Sequence, residues 1–190
     1  MMRKLLLLIS VLLIIVFSAP VHAKWYGIIY HAVLAGPGIE DALLLSAEFD
    51  DSFQLLAAAI GKEIYQYNKH LVFELEAQAV QHLGAQTHAE WNGVLIARWL
   101  TFPWNHILPT TFAFGEGLSY ATKTPNIEII HNENVSHFLN YLSIEFTFTL
   151  PQWKRFHLLT RVHHRSGIYG LINNCKGASN GVGVGLRYNF

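Results

Sequence analysis

The sequence predicts an all-β fold, an eight-stranded antiparallel transmembrane β-barrel of the bacterial outer membrane. Three observations carry that prediction. Beyond residue 23 the chain falls into eight stretches of alternating or near-alternating character, and none of its apolar runs reaches the length of a spanning helix. The connections between these stretches tend to alternate between compact and long. The last stretch alternates Val182, Val184, Leu186, Tyr188 and Phe190 with Gly183, Gly185, Arg187 and Asn189, and the chain ends on the aromatic Phe190.

Residues 1–23 read as a signal peptide. Arg3 and Lys4 form the basic start, Leu5 to Phe17 the apolar core, and Val21-His22-Ala23 a small-x-small cleavage site. That core is too short for a spanning helix, which needs roughly 20 apolar residues. Residues 24–190 are then one domain, the barrel.

Gly27 to Ala35 reads as the first strand and stops at Gly36-Pro37-Gly38, a strong breaker. Residues 39–50 fit a helical face through Ile39, Ala42, Leu43 and Ala47, and equally an extended segment over Leu43 to Phe49. Strands follow at Ser52 to Tyr67, Leu71 to Leu83, Ala89 to Phe102, Thr110 to Ala121, His137 to Leu150, Arg155 to Tyr169 and Ser179 to Phe190. The compact connections are Asn68 to His70, Pro103 to Pro109 and Pro151 to Lys154. Trp25, Tyr26, Tyr65, Tyr67, Trp104 and Trp153 gather at that end, as half of an aromatic girdle, while the opposite end shows no girdle as clean. A soluble barrel has the same periodicity with the apolar face turned inward. The signal peptide, the turn asymmetry and the terminal Phe190 favour the membrane form.

Composition narrows the function. Thirteen basic and thirteen acidic residues balance, and loss of Arg3 and Lys4 leaves the mature chain slightly acidic, which gives no sign of a nucleic-acid partner. A single cysteine, Cys175, excludes a framework of internal disulfides and reads as an unreactive thiol. An arginine facing lipid at mid-membrane costs about 2–4 kcal/mol, so Arg161 belongs in the lumen, together with His163 and Arg165. Glu74, Glu76 and Glu145 lie on polar parities and are expected to partner Arg98, Arg161 and Arg187 there. His157 and His163 share the lumen face, where a polar role is expected rather than a metal site.

With that facing, His164 and Ser166 point to lipid near the outer rim, two residues apart on one face. An imidazole beside a hydroxyl is the minimum for a base-activated nucleophile. His164-Arg165-Ser166 on the penultimate strand, followed by a glycine-rich closing strand, resembles the PagL-type lipid A 3-O-deacylases, outer-membrane esterases also labelled acyloxyacyl hydrolases. Arg98 to Trp104, Phe114 to Tyr120 and His163 to Gly167 look like an uncharacterised branch of that group, so the resemblance covers about the second half of the mature chain. It implies an esterase in which His164 takes the proton of Ser166 and the hydroxyl attacks the ester-linked acyl chain at the 3 position of lipid A, with no metal or cofactor. Lipopolysaccharide of the outer leaflet is then the implied partner, and a homodimer is allowed.

The sequence departs from the family at two positions. Gly167 stands where the family has an Asn beside the serine, and offers only its backbone N–H to an oxyanion. Ala178 stands at the position of the family's acidic residue. Asn180, on the parity of Val182, is placed to orient His164 as an amide, and Glu116 is a second candidate. Two rival readings are a non-catalytic small barrel with a binding or structural role, and an acyltransferase with an acyl pocket inside the barrel. A charged lumen argues against the latter.

Overall fold

The computed structural model describes residues 24–36, 38–132, 134–150, 152–175 and 178–190. The expected signal peptide, 1–23, lies outside the described residues. The strands are β1 (Trp25–Ala35), β2 (Phe49–Gln66), β3 (Leu71–Gly84), β4 (Ala89–Trp99), β5 (Thr110–Ala121), β6 (Phe138–Phe148), β7 (Phe156–Ser166) and β8 (Ala178–Asn189). Two short helices, α1 (Ile39–Leu43) and α2 (Asn126–His131), lie in connections. Each strand pairs antiparallel with the next, and β1 pairs with β8 to close the barrel. The two chain ends of the barrel, Trp25 and Phe190, lie at its turn end; both helices lie at the opposite, loop end.

Alternation along the strands settles which face is inside. Ile29, Leu56, Ile60, Leu75, Leu118, Leu158 and Val184 are exposed on the outer wall, whereas Glu74, Glu76, Glu145, Arg98, Arg161 and Arg187 are buried in the lumen. A soluble barrel has the reverse arrangement, since buried charge costs more than buried hydrocarbon. This is a transmembrane barrel, with strands of 11 to 18 residues against the 9–11 or so that a tilted crossing needs.

The lumen is held by the expected partners. Arg161 donates from Nη1 to Glu76 Oε1 at 2.7 Å and from Nε to Glu145 Oε2 at 2.8 Å. Arg98 joins Glu74 at 3.0 Å and Glu145 at 2.8 Å, and Arg187 grips both oxygens of Glu74 at 2.7 and 3.1 Å. Three guanidinium groups therefore interlock with three carboxylates from strands far apart in sequence.

Several expectations need correction. Tyr26 is buried in the lumen rather than at the rim: its hydroxyl donates to Glu76 at 3.1 Å and the Arg187 guanidinium lies 3.6 Å from its ring centre. The loop end does carry aromatics, for Trp91, Tyr120 and Phe138 are exposed cross-strand neighbours there. β7 stops at Ser166 rather than Tyr169, because Ile168 and Tyr169 take positive φ of 50° and 55°, which ends the extended backbone. The ambiguous stretch divides: α1 forms over Ile39–Leu43 and β2 begins at Phe49.

Candidate functional site

The site is assembled where β6, β7 and β8 reach the loop end. Register places His164 opposite Asn180 and Ser166 opposite Ala178 on one side, and Ser166 opposite Asn140 on the other. His164 Nδ1 and Asn180 Oδ1 are 2.7 Å apart, and Asn180 Nδ2 donates to the backbone oxygen of Gly36 at 2.6 Å. These two contacts determine which ring nitrogen must carry a proton. A backbone carbonyl only accepts, so the amide nitrogen of Asn180 must face Gly36 and its oxygen must face His164. The imidazole therefore carries a proton on Nδ1, and in its neutral form Nε2 holds the lone pair of a base.

The expectation that His164 meets lipid directly is corrected. Parity still turns it outward, but α1 packs on β7 and β8, and Gly38, at φ 108°, lets the chain turn back over the wall. Ala42 of α1 is fully buried, and Val162 and His164 are each only 8 % exposed. Ser166 keeps intermediate exposure. Among the described contacts, no hydrogen bond links His164 to Ser166. A base and its hydroxyl are often apart in a resting site and close only around substrate.

Gly167 is fixed by packing. A Cβ added there would lie 2.0 Å from the backbone oxygen of Cys175, so the loop closure that seats the buried Cys175 admits only glycine. An asparagine at this position would meet the same obstruction. Asn140, which sequence reasoning missed, brings an amide to the other side of Ser166. It is 6 % exposed, has outward parity, and hydrogen-bonds Glu116. Its signal was available: an Asn on the lipid parity of a membrane strand demands a polar partner. Glu116 itself faces outward and is tied to Asn140, not to His164.

Other polar groups cluster inside the loop end. Glu128 of α2 accepts from Arg165 Nη1 at 2.6 Å and from Ser179 Oγ at 3.0 Å. Burial outweighs these partners and raises its carboxyl above the ordinary range. His88, in the β3–β4 connection, is pushed down to about 4 by burial and by the neighbouring His82. His157 and His163 are engaged separately, the first with Thr149 and Asn189, the second with Glu90 at 3.0 Å and Tyr30 at 2.7 Å.

No protein-family model matches the sequence, and no curated protein matches it. Among solved structures, the chain is similar to Neisserial surface protein A (NspA), with a TM-score of 0.55 at 11 % identity, over 88 % of this chain and 97 % of that one. At this identity the likeness is one of fold: a small, closed, eight-stranded outer-membrane barrel.

Proposed function

We propose that the protein resides in a bacterial outer membrane and is a lipid A deacylase that hydrolyses the ester-linked 3-O acyl chain. The observation that supports this most is the pair of contacts through Asn180, which hold the outward-turned His164 by a hydrogen on Nδ1, so that its neutral form has the lone pair on Nε2. In the proposed reaction Ser166 Oγ forms a bond to the ester carbon while His164 Nε2 takes the hydroxyl proton. The 3-O alkoxide leaves with that proton, and water, activated by the same nitrogen, releases the fatty acid from Ser166. Amide hydrogens from Asn140 and the N–H of Gly167 are the donors offered to the oxyanion. The loop end faces the outside of the cell, which sets Ser166 at the level of the outer leaflet.

The test is mass spectrometry of lipid A from cells with and without the gene, and from cells carrying Ser166→Ala or His164→Ala. Wild type removes one hydroxyacyl mass and both variants restore it, with heat-modifiable gel migration showing that the barrels are folded. Identical lipid A in all strains, with no fatty acid released by the purified protein, would leave the non-catalytic barrel as the reading.

A further inference from the structure

Inside the loop end, His82 at the end of β3, His88 in the connection and Glu90 at the start of β4 come together, one donor atom from each lying within 4.8 Å of the others. All three are buried, and His88 Nε2 has no hydrogen-bond partner. Leaving such a nitrogen buried and unpaired costs free energy that a bound group would recover. The His82 and His88 rings stack with centroids 4.0 Å apart, and His82 Nε2 lies 2.9 Å from Glu90 Oε2.

We infer that His82, His88 and Glu90 form a binding site for one zinc-class divalent cation, which clasps the β3–β4 connection at the mouth of the lumen. Two imidazoles and a carboxylate are a borderline-soft donor set that suits zinc, and three protein ligands leave a fourth position for water. The carboxylate is already oriented. Its other oxygen accepts from Asn92 Nδ2 at 2.8 Å and meets His163 Nε2 at 3.0 Å, and Tyr30 fixes that ring in turn. Binding requires two local changes: the stacked His82 and His88 rings splay so that both lone pairs converge on the ion, and the Gln86 amide rotates. Gln86 Nε2 now meets His82 Nδ1 at 2.8 Å, while Gln86 Oε1 accepts from the Ile127 N–H at 3.3 Å. Once His82 gives its Nε2 lone pair to a metal, its proton moves to Nδ1, and rotating the Gln86 amide supplies the acceptor for the loss of one long hydrogen bond. This site shares no residue with the proposed esterase and stands without it.

The experiment uses untagged protein in detergent micelles, stripped with chelator and titrated with zinc by calorimetry, and with cobalt(II) by visible absorption. One ion per chain is expected, with the intense bands of tetrahedral cobalt. His88→Ala weakens zinc binding by at least about 100-fold, beyond the loss of an outer partner alone, and Gln86→Leu, which keeps all three ligands, by about 10–100-fold. His70→Ala, at the turn end, leaves binding unchanged. Absence of binding to the folded wild type, or equal binding by His88→Ala and Glu90→Gln, overturns the assignment.

Discussion

The middle of the lumen and its loop end contain the same kinds of residue arranged to opposite effect. In the middle, Arg98, Arg161 and Arg187 are interlocked with Glu74, Glu76 and Glu145. Toward the loop end lie the three buried side-chain atoms that lack a partner among the described residues: His88 Nε2, Asn92 Oδ1 and Glu128 Oε2. Buried polar groups in a folded protein are nearly always satisfied, by protein or by ordered water, so these three atoms are where a bound group or water finds an open partner. The middle is a structural lattice, and the unpaired groups lie toward the outer third.

That contrast is broken most severely by Arg161→Leu. Removing this guanidinium leaves Glu76 with no arginine partner and Glu145 with Arg98 alone, and lowers the stability of the refolded barrel by about 3–5 kcal/mol, read from urea unfolding in lipid vesicles. A loss below about 1 kcal/mol would show that the lattice is dispensable. Gly167→Ala comes next. The added methyl meets Cys175 and costs about 1–3 kcal/mol in the same assay; an unchanged stability would show that the connection between β7 and β8 shifts freely. Asn180→Ala sharpens the contrast from the other side. It slows fatty-acid release by less than the roughly 10²–10⁴-fold that a general base supplies, because His164 and Ser166 remain. The smallest effect is pH-dependent. Glu128 binds its proton more tightly folded than unfolded, so its contribution falls as pH rises from the ordinary carboxylate range through its raised value. The unfolding midpoint is therefore higher at the acid end of that window, and Glu128→Gln flattens the difference.

Strand parity was legible because the cost of an arginine in lipid leaves only one assignment for Arg161, and every partner of the lumen lattice follows from it. His164, Asn180 and their shared face were legible for the same reason. The cover by α1 was not: a helix of five residues has too little periodicity to be read, and its packing against β7 and β8 is a contact distant in sequence. Tyr26 was misplaced because an aromatic near a strand end suits the rim and the lumen equally. It is the Arg187 guanidinium, donated from the last strand, that draws it inside. The grouping of His82, His88 and Glu90 depends on how the β3–β4 connection folds inward, which no spacing rule encodes. The steric need for Gly167 likewise emerged only with Cys175 in place.

The central claim is that Ser166 is a nucleophile turned toward the outer leaflet, and trapping its covalent intermediate tests it most directly. Purified protein mixed with lipid A and quenched with acid within the first turnovers should yield the peptide bearing Ser166 with one added hydroxyacyl group, and His164→Ala should yield none. Fatty acid released at the wild-type rate by Ser166→Ala, with the wild-type peptide never acylated, would contradict the account.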